Sequence, residues 1–226
     1  MKNLYQTWVT GGSGYAVLQD KQIVENRRFN NFVIEEPSTY EWVDLGLPSG
    51  LKWASCNVGA TKSEEFGLYF AWGETEGYSG DDVNNDVKQF DWSNYKWCNG
   101  SDSTLTKYNN DSSYGTVDNL TVLDQVDDAA YVSDNTCRIP TKAELEELTA
   151  NTTSTWETLN GVNGRRFTSK TNGNSIFVPA AGSCVNGSVR GVGSFGYLWS
   201  RNSNNDGKFL YCVWLRCDLY ECSNDI

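Results

Sequence analysis

Residues 137–148 run Cys137-Arg138-Ile139-Pro140-Thr141-Lys142-Ala143-Glu144-Leu145-Glu146-Glu147-Leu148. Pro140 disfavours helix in the residue before it, and Thr141 stands three residues ahead of Glu144, the spacing of a capping box. The Thr141 hydroxyl can accept from the Glu144 amide while the Glu144 carboxylate reaches back to the Thr141 amide. A helix is therefore predicted to start just after Thr141, with Leu145 and Leu148 as its buried stripe. Upstream, Leu123 to Val132 reads as a weaker helix, with Asp124 and Asp127 favouring an N-terminus and Ala129-Ala130 favouring continuation. Downstream, Gly161 to Gly164 separates two strand-like runs as a hairpin turn would. Asn110 to Asp118 is polar and glycine-containing and reads as loop. The fold class expected is α+β: two short helices on a twisted, mostly antiparallel framework with long loops.

The first 39 residues have a different texture. Tyr5 to Thr10, Tyr15 to Leu18 and Phe29 to Ile34 have strand character, broken by Gly11-Gly12-Ser13-Gly14 and by the charged Lys21 to Arg28 segment. Glu35-Glu36-Pro37-Ser38-Thr39 reads as a linker, because Pro37 stops a strand and its flanks are polar. Two domains are expected: residues 1–39, a small β appendage and linker for attachment or oligomerisation, and residues 40–226. The start, Met1-Lys2-Asn3-Leu4-Tyr5, has neither the apolar run nor the small-residue site of a secretory signal.

Composition excludes several functions. The net charge of −11 repels a phosphate backbone, so nucleic acid is not an expected partner. No apolar stretch approaches the ~20 residues of a membrane helix, so no membrane insertion is expected. The chain contains 0 His, which removes Ser-His-Asp and Cys-His catalysis and imidazole metal sites together. The expectation is no enzyme, no catalytic residues, no metal and no cofactor. The 7 cysteines, Cys56, Cys98, Cys137, Cys184, Cys212, Cys217 and Cys222, include no Cys-x-x-Cys pair. Most read as small buried hydrophobes, and a disulfide stays open without a choice of partners. With 13% aromatics, including 9 Trp and 12 Tyr, the apolar material is largely rings.

Three motifs have bland readings that outweigh their sharper ones. Asp82-Val83-Asn84-Asn85-Asp86 has the alternate oxygens of a calcium loop but lacks its glycine and its late Glu, and reads as a solvated acidic loop. Gly191-Val192-Gly193-Ser194-Phe195-Gly196 spells a dinucleotide fingerprint but runs into Tyr197-Leu198-Trp199, with no helix to hold a phosphate. The neighbouring carboxylates Asp127-Asp128 diverge by about 100° on a helix and suit helix-start stabilisation better than a glycosidic pair.

Tyr40-Glu41-Trp42-Val43-Asp44-Leu45-Gly46-Leu47-Pro48-Ser49-Gly50-Leu51-Lys52-Trp53-Ala54-Ser55-Cys56-Asn57-Val58-Gly59-Ala60 resembles the opening of a domain abundant in gut Bacteroidetes, the Fibrobacter major paralogous type. Phe70-Ala71-Trp72-Gly73-Glu74-Thr75, Asp127-Asp128-Ala129-Ala130, residues 137–144, Ser175-Ile176-Phe177-Val178-Pro179-Ala180-Ala181-Gly182 and Gly196-Tyr197-Leu198-Trp199-Ser200 follow in the same order. The resemblance implies a C-type-lectin-like fold, related to that of formylglycine-generating oxidases and used by variable proteins of diversity-generating retroelements. In those proteins a reverse transcriptase rewrites adenines in the C-terminal coding segment, so a fixed scaffold displays changing residues. It implies a variable binding region at about residues 200–226, and a phage tail adhesin or, alternatively, a bacterial cell-surface or pilus-tip adhesin. The implied location is a virion tail or extracellular surface. The implied partner is a protein or glycan on a target cell, and the implied assembly a homotrimer. A formylglycine-type thiol oxidase is the remaining reading, since Cys212 and Cys217 are spaced like that enzyme's copper-binding thiolates. The usual family ending, Ser-Val-Arg-Pro-Val, has no counterpart here.

The tail can be read on pattern alone. If residues 208–214 form a strand, Phe209, Tyr211 and Val213 share one face and Leu210, Cys212 and Trp214 the other, the second set suiting a core. An AAC codon altered only at its adenines yields Arg, Asp, Ser, Tyr, Phe, Leu or Cys but never Trp, Lys or Glu. Trp214, Lys208 and Glu221 are thereby scaffold. The expected ligand-binding set is Arg201, Asn202, Asn204, Asn205, Asp206, Phe209, Tyr211, Arg216, Asp218 and Tyr220, residue types that paratopes favour.

Overall fold

The computed structural model describes residues 22–23, 34–35 and 40–203. The chain divides into two units, Met1–Thr39 and Tyr40–Ile226. In the first, β1 (Gln22–Ile23) pairs antiparallel with β2 (Ile34–Glu35). β1 falls inside the charged segment expected to break strands, so pairing there overrode local composition. The expected strands at Tyr5 to Thr10 and Tyr15 to Leu18 lie outside the described residues.

The second unit is mixed α and β, with few helices and antiparallel sheets. β3 (Trp42–Asp44) and β4 (Lys52–Ala54) make a hairpin. A long, loop-rich stretch follows, containing α1 (Gly80–Asn84), a 3-10 turn at Ser112–Tyr114, another at Gln125–Asp127, and α2 (Ala129–Ser133). Then α3 (Lys142–Asn151) leads without a loop into β5 (Thr152–Leu159), β6 (Val162–Ser169) and β7 (Ser175–Pro179), a three-stranded sheet with β6 in the centre. β8 (Ser183–Val185) and β9 (Ser188–Arg190) form a last hairpin.

α3 starts where the capping box puts it. Thr141 Oγ accepts from the Glu144 amide at 3.3 Å, and Glu144 Oε2 accepts from the Thr141 amide at 2.8 Å. Leu145 and Leu148, both 0% exposed, pack with Leu45, Leu47, Phe167, Ile176 and Val178. At about 1.5–3 kcal/mol for each fully buried aliphatic side chain, this contact fixes the helix against the sheet. The weaker helix is broken in two at Asp128, whose carboxylate caps α2 by accepting from the amides of Ala130 and Tyr131. The Asp82 segment is helical, which corrects the loop expected there. Ser79 and Asp82 form a capping box for α1, a Ser-x-x-Asp signal obscured by the more conspicuous acidic pattern.

The turns obey Asn-Gly chemistry. Asn160-Gly161 (φ +49° and +88°) joins β5 to β6, and Asn186-Gly187 (φ +46° and +68°) joins β8 to β9; both φ values are positive, as a tight primed turn requires. The first turn therefore sits one residue before the expected glycine pair, and Gly164 lies within β6. A second core, mostly rings, surrounds Trp72, Phe90, Tyr95 and Tyr108 with Val83, Leu105 and Leu123. Trp72 and Trp97 both meet Tyr108 edge-on, at 5.0 and 5.8 Å between centroids.

Candidate functional site

Gly196 to Ser203 is the described chain that leads toward the expected binding segment, and it is tied down residue by residue. The Trp199 indole donates to the Phe70 carbonyl (2.9 Å) and the Trp72 indole to the Ser200 carbonyl (2.8 Å). The Arg201 amide donates to the Pro140 carbonyl and its carbonyl accepts from the Leu123 amide, both at 2.9 Å. The Ser203 amide donates to the Thr121 carbonyl at 2.9 Å. Residues 199–203 are thus stitched to the start of α3 on one side and to residues 121–123 on the other.

Two of the ten expected ligand contacts fall in this stretch. The Arg201 guanidinium donates to the Leu123 carbonyl at 2.9 Å, and its buried Nε–H has no acceptor among the described residues. Asn202 Oδ1 accepts from the Lys142 amide at 3.1 Å, satisfying one of the unpaired amides at the start of α3. Both side chains bond to the scaffold, and both are half-buried. No local pattern announces such bonds, since the partners lie 60 to 78 residues away. Asn204, Asn205, Asp206, Phe209, Tyr211, Arg216, Asp218 and Tyr220 lie outside the described residues, as do Cys212 and Cys217.

Beside the anchored chain is a groove of about 680 Å³, bordered by Trp42, Trp53, Phe70, Phe177, Leu198 and Trp199 among others. Three consecutive residues of β4, Lys52 to Ala54, and three of β7, Ile176 to Val178, border it. Because neighbouring strand residues point to opposite faces, consecutive lining residues mean that strand edges, not faces, meet the groove. The pairing parity agrees. The bonds Ala180 N–H to Asn163 C=O and Ser169 N–H to Asn174 C=O make Ile176 and Val178 the residues of β7 bonded to β6. The Phe177 N–H and C=O then point the other way and have no partner among the described residues, although Phe177 is 3% exposed. By the same logic, Ser55 N–H to Glu41 C=O turns the backbone groups of Lys52 and Ala54 outward from β4. The outer edge of β3 is occupied: the Asp44 carbonyl accepts from Asn172 and Asn174. Sequence reasoning did not find these two open edges, because edge status depends on which strands pair.

Three charged residues that border the groove, Glu74, Arg138 and Glu144, are engaged. Glu74 and Lys88 form a buried pair at 2.7 Å, and the Glu74 carboxylate also accepts from the Lys96 amide. Arg138 forks onto Glu144, raising the guanidinium further and holding the Glu144 carboxyl below the usual range. The adjacent Asp127 and Asp128 turn to different partners. Asp128 accepts backbone amides from α2 and from Ile139. Burial pushes Asp127 up, but Lys107 (2.7 Å), Tyr108 (2.7 Å) and Lys96 outweigh it and hold the carboxyl below its ordinary range. Asp127 and Glu144 are thereby held as anions, a poor arrangement for moving protons.

Cys56, Cys137 and Cys184 border the groove. Burial pushes Cys137 up to about 11 and Cys184 up to about 12, and raises Cys56 as well. Thiols held protonated at neutral pH are weak nucleophiles and weak metal ligands. Among the described residues no group of three or more His, Cys, Asp or Glu is placed to hold a metal ion. No described helix is long and apolar enough to cross a membrane. Compared with protein-family models, with curated proteins and with solved structures, the chain matches none.

Proposed function

We propose that this chain is a non-catalytic receptor-binding protein of C-type-lectin-like fold, a variable protein of the diversity-generating-retroelement type. The segment from about residue 200 onward carries its contact surface. The observation that supports this best is the groove with two unpaired strand edges, beside which the chain is anchored through Ser203. Buried backbone groups require partners, and an open edge takes an added strand readily. The alternation of Lys208 to Trp214 supplies one: Leu210, Cys212 and Trp214 suit an apolar groove, which turns Phe209 and Tyr211 outward for display. A strand added to such an edge is held through its backbone and inner face, which leaves its outer face free to vary.

The engaged carboxylates, the protonated thiols and the absence of histidine support binding over catalysis. A protein or glycan on a cell surface is the proposed ligand, and a phage tail the proposed setting, with a bacterial surface or pilus-tip adhesin as its nearest variant. Sequencing the gene and its flanks tests the class. A reverse-transcriptase gene and a template repeat matching codons 200–226 except at adenines are expected. An ordinary locus with no such repeat overturns the assignment.

A further inference from the structure

A pair of thiols lies where the β3–β4 hairpin meets the end of α2. Cys56 follows β4 directly, where the Ser55 amide is bonded to the Glu41 carbonyl at 2.9 Å. The neighbouring Tyr40 hydroxyl meets Ser133 Oγ, at the end of α2, at 3.1 Å. Cys137 is held in the turn beyond α2 by its amide bond to the Asp134 carbonyl at 2.8 Å. Tyr40, Ala130 and Cys137 form a small buried cluster, and Cys56 packs on it. Both cysteines border the groove and both are free thiols. The other described cysteines are placed differently. Cys98 and Cys184 pack on the aromatic core instead.

We propose that Cys56 and Cys137 form an intramolecular disulfide when the protein meets a disulfide oxidant such as glutathione disulfide. The half-exposed Cys56 reacts first, through the minor thiolate fraction that its raised pKa leaves, so the exchange is slow at neutral pH and quickens as pH rises. Its thiolate attacks one sulfur of the oxidant, forming a mixed disulfide and releasing one glutathione thiolate. The Cys137 thiolate then attacks Cys56 Sγ and expels the second. Two protein thiols are oxidised, one oxidant disulfide is reduced to two thiols, and two protons pass to solvent. The bridge closes a loop of about 80 residues that contains most of the aromatic core, and a loop of that length loses much of its freedom in the unfolded chain. This modification site is independent of the proposed ligand-binding role and stands or falls separately from it.

The test uses the full chain incubated with glutathione disulfide, alkylated and digested without reduction. Mass spectrometry is expected to find a peptide linking Cys56 to Cys137 in monomeric protein. Oxidation is expected to raise Tm by roughly 5–10 °C, reversibly with dithiothreitol. Cys56→Ala and Cys137→Ala should each abolish both effects, while Cys184→Ala keeps them. Linkage of either cysteine to Cys98, Cys184 or a cysteine beyond residue 203 overturns the proposal. So does finding both as separate glutathione adducts, or both still free once other cysteines have oxidised.

Discussion

Asp127 is a single carboxylate on which three side chains converge. It is 3% exposed, and it collects Lys107, Tyr108 and Lys96 from a strand-poor region with few backbone ladders to organise it. Its folded-state pKa lies below its ordinary value, so the stability it contributes is present above about pH 4 and is lost as pH falls through the folded value. Asp127→Asn removes the charge but keeps most of the shape. Urea unfolding between pH 7 and pH 2 should show a shallower acid limb in the variant than in the parent, together with a lower midpoint at pH 7 from the weakened bonds to Lys107. Parallel acid limbs would mean that Asp127 is not the group responsible. The partners lie 19 to 31 residues away, so no spacing in the sequence foretells them.

At the scale of the element, the sheet β5-β6-β7 depends on two glycines for different reasons. Gly161 needs its freedom at φ +88° to close the Asn-Gly turn, and a Cβ there would meet open space. Gly164 has no such backbone demand, yet a Cβ on it would run into the Val178 carbonyl and the Phe177 ring. Gly161→Ala should cost about 1 kcal/mol from the left-handed backbone alone. Gly164→Ala should cost more, about 1–3 kcal/mol, because backbone on the neighbouring strand must move. Equal or reversed losses in chemical denaturation would show that strand approach at Gly164 is looser than described. The hairpin was legible from its glycines, and α3 from Pro140, Thr141 and Glu144, because turns and caps are made by residues adjacent in sequence. The helix at Gly80–Asn84 was missed for the opposite reason: its capping signal is as local, but the acidic pattern across it suggested a different structure.

Across the whole molecule, the open edges of β4 and β7 and the pattern of the tail make one joint prediction. In hydrogen exchange of the full chain, the amides of Phe177 and Ala54 and those of residues 208–214 should be protected together. Leu210→Asp should strip that protection and lower Tm, while Phe209→Asp should leave both nearly unchanged. Equal sensitivity at 209 and 210, or an unprotected Phe177 in the parent, would remove the groove as the seat of this segment. The sequence by itself determined the α+β character, the α3 start, the presence of the hairpin near Gly161 and the exclusion of histidine chemistry. Each follows from the type of a residue or from its near neighbours. Only the tertiary structure decided that Arg201 and Asn202 bond to the scaffold, that two strand edges face a common groove, and that Cys56 and Cys137 share a cluster. Those facts depend on which distant segments pair, and pairing is settled by burial summed over the whole chain rather than by any stretch of it.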